Sequence, residues 1–130
     1  MANISKNRIE EYTTDYDSVT YNNVTPLLTP SFLLNEFVSY TFKNLTVGVN
    51  GRYSSDSFLD NTNNKNFIVP SSFIANSSVS YKFGKYIALS FDCNNIFNKK
   101  YYYSGYVSNN ESNYFAMATR NYFLTLTASL

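Results

Sequence analysis

The residues able to do chemistry are few and poorly grouped. No histidine occurs among the 130 residues, so neither a Ser–His nor a Cys–His pair can be assembled for nucleophilic catalysis. Cys93 is the sole cysteine, which excludes an internal disulfide and a multi-cysteine metal site. Glu10 with Glu11, and Asp15 with Asp17, are acidic pairs of the kind used as paired carboxylates or cation ligands; here they read as solvated charges at a strand end and in a loop. Asp60-Asn61-Thr62-Asn63-Asn64 is rich in oxygen but lacks the spacing of a calcium loop, and reads as an Asx-rich connection. Asn23-Val24-Thr25 and Asn44-Leu45-Thr46 match a glycosylation triplet, a pattern that chance produces in a chain so rich in Asn, Ser and Thr. We therefore expect no catalytic residue, no metal and no cofactor.

Binding chemistry falls to the aromatic residues. Tyr101, Tyr102, Tyr103, Tyr106, Tyr114 and Phe115 flank one polar connection; exposed rings can stack on sugars, although an aromatic girdle and strand packing account for them more readily. The chain holds 13 Tyr and 11 Phe but no Trp, and 15% of its residues are charged, so Asn, Ser and Thr supply most of the polarity. Tyr, Phe, Thr and Val favour pleated, half-buried surfaces, and the composition points to β structure. A net charge of +1 makes no field to gather nucleic acid, and the one basic run, Lys99-Lys100, is too short for a patch. No apolar stretch approaches the roughly 20 residues of a spanning helix.

The elements that must position these residues show in a repeated hairpin half. Ser31-Phe32-Leu33-Leu34-Asn35 leads to Val38-Ser39-Tyr40-Thr41-Phe42 and a turn at Lys43-Asn44. Ser72-Phe73-Ile74-Ala75-Asn76 leads to Val79-Ser80-Tyr81-Lys82-Phe83 and a turn at Gly84-Lys85-Tyr86. Two copies without a Trp-Asp signature do not make a propeller, whereas a meander of alternately short and long connections gives the same period. Apolar residues alternate along each segment: Phe32, Leu34, Val38, Tyr40 and Phe42; Leu45, Val47, Val49 and Tyr53; Phe73, Ala75, Val79, Tyr81 and Phe83; Ile87, Leu89, Phe91 and Cys93; Tyr122, Leu124, Leu126, Ala128 and Leu130. A two-residue turn at Lys43-Asn44 pairs Phe42 with Leu45, and a three-residue turn at Gly84-Lys85-Tyr86 pairs Phe83 with Ile87. Both pairs keep the apolar set on one face, which a one-residue slip would destroy.

The expected fold is all-β, an antiparallel up-and-down transmembrane β-barrel segment of about six strands at residues 2–13, 31–42, 45–58, 71–83, 87–103 and 117–130. Long polar connections are expected from Asp15 to Thr29, Asp60 to Pro70 and Ser104 to Tyr114. Tyr40, Phe42, Phe83 and Tyr86 cluster beside the two short turns, as an aromatic girdle at a membrane interface would. The opposite faces carry Ser, Thr and Asn where a soluble sandwich would carry Lys and Glu.

The sequence Asn94-Asn95-Ile96-Phe97-Asn98-Lys99-Lys100-Tyr101 resembles the signature before the closing strand of TonB-dependent receptors, and Arg120-Asn121-Tyr122-Phe123-Leu124-Thr125-Leu126 resembles that closing strand. Pro30 to Asn35 and Val38-Ser39-Tyr40 resemble earlier barrel strands of the family. The resemblance implies uptake of a siderophore, cobalamin, carbohydrate or similar nutrient across the bacterial cell outer membrane, without bond chemistry. It implies as partners outer-membrane lipid, the remaining barrel and plug of a parent receptor, TonB through an N-terminal part, and the barrel-assembly machinery. Tyr122, Leu124, Leu126 and Leu130 take the place of the strand read by that machinery, although the family usually ends in an aromatic residue. Tyr106 and Tyr114 become candidate contacts to a sugar or an aromatic siderophore.

Six strands do not close a barrel, and the opening residues Met1 to Arg8 lack an apolar signal region. Residues 1–130 are accordingly expected to form one incomplete domain of a longer chain. The rival reading is a soluble β-sandwich that binds carbohydrate or adheres to surfaces; a complete small porin-like barrel would need at least eight strands.

Overall fold

Strand formation follows the alternation of Phe, Tyr, Val and Leu with Ser, Thr and Asn. The computed structural model describes residues 1–129, and Leu130 lies outside the described residues. In chain order the strands are β1 (Ala2–Ile4), β2 (Ile9–Thr13), β3 (Thr20–Val24), β4 (Phe32–Phe42), β5 (Leu45–Ser54), β6 (Ser57–Phe58), β7 (Ile68–Val69), β8 (Ser72–Phe83), β9 (Ile87–Asn94), β10 (Tyr102–Ser108), β11 (Glu111–Ala116) and β12 (Asn121–Ala128). Six of them make one antiparallel sheet in the order β1-β4-β5-β8-β9-β12. The other six pair as three hairpins, β2 with β3, β6 with β7 and β10 with β11. No helix occurs among the described residues, and the six-stranded sheet does not close on itself.

The two turns set the register as expected, with Phe42 opposite Leu45 and Phe83 opposite Ile87. From there apolar side chains form continuous rows across five strands. One row runs Tyr40, Val47, Val79, Phe91, Leu124; the next runs Phe42, Leu45, Tyr81, Leu89, Leu126. Phe91 and Tyr122 stack at 5.8 Å on the same face. Nothing covers these rows among the described residues: Val38, Tyr40, Leu124 and Leu126 are 70–72% exposed. A soluble monomer rarely leaves so wide a patch bare. No second sheet packs on this face, as a sandwich would require. The strands β4, β5 and β8 run 11, 10 and 12 residues, close to the 9–11 that a tilted strand needs to cross hydrocarbon.

The other face is polar. Thr41, Thr46, Ser80, Ser90 and Thr125 make a hydroxyl row, in which Thr41 and Thr46 bond at 3.0 Å. On this face a Cβ at Gly48 would meet Ser78 Oγ at 2.7 Å and the Phe37 ring at 3.1 Å, while at Gly105 of β10 it would run into the Asn113 carbonyl oxygen, which only glycine allows.

Several expected boundaries change. Residues 2–13 form two strands, because β1 pairs with β4 only as far as Phe32 and Pro30 offers no N–H to continue the ladder. β2 instead folds back on β3, inside the connection expected from Asp15 to Thr29. Residues 45–58 break after Ser54, where Ser55 Oγ accepts the Phe32 N–H at 3.1 Å. Residues 87–103 break at Asn95 and Asn98, both in the left-handed region at φ 53° and 52°. The connection expected from Ser104 to Tyr114 is a hairpin whose two-residue loop, Asn109-Asn110, has φ 51° and 62°, the conformation of a type I′ turn.

Candidate functional site

Asparagines on the polar face assemble the best-defined site. Asn50 Nδ2 donates to Asn35 Oδ1 at 2.9 Å, and Asn76 Nδ2 donates to Asn50 Oδ1 at 3.3 Å. Asn76 Oδ1 accepts the Asn95 N–H at 2.9 Å, and Asn94 Nδ2 donates to Asn121 Oδ1 at 3.0 Å. Period-two alternation sends these strand residues to the same side, so a row of carboxamides crosses β4, β5, β8, β9 and β12, bonded in two groups, Asn35-Asn50-Asn76 and Asn94-Asn121. With Arg52, Ile74, Tyr101, Tyr103 and Met117 they line a cavity of about 590 Å³.

The turn after β9 closes one wall of that cavity. Asn95 is 2% exposed and its carboxamide is fully used: Oδ1 accepts the Lys99 N–H at 2.9 Å, while Nδ2 donates to the carbonyls of Lys99 and Ala118 at 2.8 and 3.3 Å. Asn98 Oδ1 accepts the Arg120 N–H at 3.1 Å, which aligns the entry of β12. Asn tolerates the left-handed backbone that both positions require. Thus Asn94, Asn95 and Asn98 of the quoted signature are turn-forming and ladder residues. The sequence signal was present in the asparagines themselves, although a continuous strand was expected there.

Beyond the turn, β10 places aromatic rings over the cavity rim. The Arg52 guanidinium lies 4.5 Å from the Tyr103 ring centroid, and Tyr101 meets Tyr103 edge-on at 5.1 Å. Burial pushes the Tyr103 phenol above its usual value, and Arg52 partly offsets that by favouring the phenolate. Arg52 and the carboxamide row were not singled out in the sequence. Inward-facing Asn at strand positions 35, 50, 76, 94 and 121 would have marked them.

The hairpins form a tier held by side chains. Asn63 Oδ1 accepts the Thr25 N–H at 2.6 Å and Asn63 Nδ2 donates to the Thr25 carbonyl at 2.7 Å, while Asn61 Oδ1 accepts the Leu27 N–H at 2.8 Å. On the other flank Tyr114 Oη donates to the Ile68 carbonyl at 2.9 Å, and Val24, Leu59 and Val69 are buried.

The structure separates the two candidate ligand contacts. Tyr106 pairs with Asn113 and Tyr114 with Gly105, so their rings leave opposite faces of the β10–β11 hairpin. Tyr106 is exposed and leans on Phe115 at 5.8 Å; Tyr114 stacks on Tyr102 at 4.7 Å. Tyr122, Leu124 and Leu126 share the apolar face of β12, and Leu130 lies outside the described residues. The acidic pairs do not converge on a site: no group of three potential ligands gathers among the described residues.

No family model matches the sequence, and no curated protein matches it. Solved structures do match its fold. The siderophore receptor PiuA from Acinetobacter baumannii superposes with TM-score 0.76 and 21% identity, covering 88% of this chain and 16% of that one. The ferric citrate transporter FecA, unliganded, gives TM-score 0.68 and 26% identity over 82% of this chain and 18% of that one. The open form of the ferric-catecholate import receptor Fiu from E. coli K12 gives 0.65 and 16%, over 77% and 15%. The chain has the fold of a TonB-dependent receptor barrel segment. It spans less than a fifth of the length of these receptor chains. The apolar rows and the carboxamide row lie on opposite faces of the sheet, and the hairpin tier stands at the end opposite the short turns.

Proposed function

We propose that this chain supplies six consecutive wall strands and three external hairpins to a TonB-dependent outer-membrane receptor that imports a scarce nutrient. The division of one sheet into two chemical faces carries the reading: five-strand apolar rows stand back to back with hydroxyl and carboxamide rows. A sheet so divided separates hydrocarbon from a wet or plugged lumen. Its edges support the same view. On their outer sides β12 and residues 37–42 of β4 have no partner strand among the described residues, and each unpaired backbone group costs several kcal/mol in hydrocarbon, on the order of 2–7 kcal/mol. Further strands of the same barrel cover those edges, and residues 1–130 are then part of one larger domain.

The wider protein binds its ligand outside and admits it when TonB pulls on a plug held in the lumen. Siderophores, cobalamin and carbohydrates remain the ligand classes. Tyr106 is the ligand-contacting member of the aromatic pair; Tyr114 also lies on that hairpin, with its hydroxyl committed to Ile68. Tyr122, Leu124, Leu126 and Leu130 present the strand read by the assembly machinery. The test is heat-modifiable gel migration and detergent-dependent solubility of the protein, followed by nutrient uptake in cells lacking it. A monodisperse, folded protein in plain buffer overturns the proposal in favour of a sandwich.

A further inference from the structure

We infer that the short-turn end of the sheet binds anionic phospholipid headgroups, an inference that rests on the membrane-spanning reading above. Phe42, Phe83 and Tyr86 stand exposed at this end, and rings of this kind settle at headgroup depth. They fix the depth of the lysine in each turn. Lys43 follows Phe42 and holds its ammonium 5.4 Å from that ring's centroid. Lys85 precedes Tyr86 in the other turn, whereas Lys82 shares the polar face of β8 with Ser80. No Asp or Glu occurs in residues 37–55, 61–91 or 112–129, which include the turn-side part of every strand that reaches this end. The nearest carboxylate along the strands is Asp92, four residues beyond Ala88, the partner of Lys82. That separation is about 13 Å at strand rise, longer than the screening length of about 8 Å.

Two cations, Lys43 and Lys85, with no Asp or Glu side chain beside them among the described residues and held at the level of the aromatic girdle, complement a phosphate surface. A protein partner would find no groove here, since the turns contribute only two and three residues each. Each lysine near an anionic lipid surface strengthens attachment by about fivefold.

The whole polypeptide that bears this chain is purified in detergent and offered equimolar phosphatidylethanolamine and phosphatidylglycerol. Retained lipids are counted by native mass spectrometry. Phosphatidylglycerol is expected in excess, with the preference dropping about fivefold for each of Lys43→Gln and Lys85→Gln and persisting in K43R/K85R. Lys43→Gln and Lys85→Gln alone, in exposed turns, give the same readout where the double Gln variant does not fold. Heat-modifiable migration of the same samples tests the barrel reading separately. With that migration intact, equal retention of the two lipids, or a preference untouched by the Gln substitutions, overturns the inference. Absence of the migration in the unsubstituted protein overturns the barrel reading beneath it.

Discussion

The carboxamide of Asn95 satisfies both backbone groups of Lys99: Oδ1 accepts its N–H at 2.9 Å and Nδ2 donates to its carbonyl at 2.8 Å. Asn95 is buried and in the left-handed region, so one side chain supplies both the turn's conformation and its internal bonding. Asn95→Ala is expected to cost roughly 2–4 kcal/mol, by leaving buried partners unsatisfied. Asn95→Gly relieves the backbone but still loses the bonds, so it falls between Ala and the unsubstituted residue. Asn95→Asp keeps the acceptor and sets a carboxylate against the Lys99 and Ala118 carbonyls, and is expected to match Ala or exceed it. Urea midpoints of the heat-modifiable band give the order; equal stability of all four proteins contradicts it.

The same two-bond clamp recurs between Asn63 and Thr25, again with Asn in the left-handed region. It ties the β2–β3 hairpin to the connection carrying β6 and β7. Asn63→Ala is expected to release that hairpin while leaving the six-stranded sheet intact. Amide exchange should accelerate at Thr25 and Leu27 and stay unchanged in β5, β8 and β9. Acceleration throughout the sheet would show that the tier is not a separate cooperative unit.

Much of the sheet was legible because two signals agreed. Alternation assigned the faces, and the lengths of the turns at Lys43 and Gly84 fixed the partners Phe42–Leu45 and Phe83–Ile87. The hairpins were hidden because β2, β3, β10 and β11 are rich in Asn, Ser and Glu, so polarity masked their pairing. Asn109-Asn110 was the readable clue, since only residues that tolerate positive φ fit a type I′ loop. The break after β9 escaped notice for another reason. The asparagines were a local signal, but Asn94 continues the strand, and the contacts that hold Asn95 in the turn include Asn76 and Ala118, distant in sequence, beside Lys99. The cavity lining was likewise a product of register across five strands and not of any local motif.

Ligand recognition should divide along the geometry of the aromatic residues. Tyr106→Ala removes an exposed ring and is expected to weaken ligand binding by about 1–2 kcal/mol without altering stability. Tyr114→Phe keeps the ring stacked on Tyr102 and loses the bond to Ile68, so its effect should appear as about 1 kcal/mol of hairpin stability and little change in affinity. Arg52→Gln removes the cation over Tyr103 and is expected to reduce affinity for an anionic ligand more than for a neutral one. Titration calorimetry with ferric siderophores and with a neutral sugar separates these outcomes. Unchanged affinity in Tyr106→Ala withdraws the assignment of that ring.

The orientation of the sheet can be read from two adjacent residues of β12. Leu124 sits in the apolar row with Phe91, and Thr125 sits in the hydroxyl row with Ser90. Arginine at either position has the same charge, the same backbone and nearly the same distance from both ends of the strand, so propensity and edge effects cancel in the comparison. If the apolar row meets hydrocarbon, Leu124→Arg costs about 2–4 kcal/mol, and Thr125→Arg costs little because its guanidinium enters the lumen. A sandwich that buries the apolar row would also resist Leu124→Arg, so the medium must be varied. In a barrel the penalty depends on depth: Leu126→Arg, one row nearer the turns and their lysines, is expected to cost less than Leu124→Arg. In a packed core the two rows would cost alike, whatever the lipid. Folding free energies in bilayers of two thicknesses supply the measurement, and a penalty that ignores both row and thickness removes lipid from the account of this face.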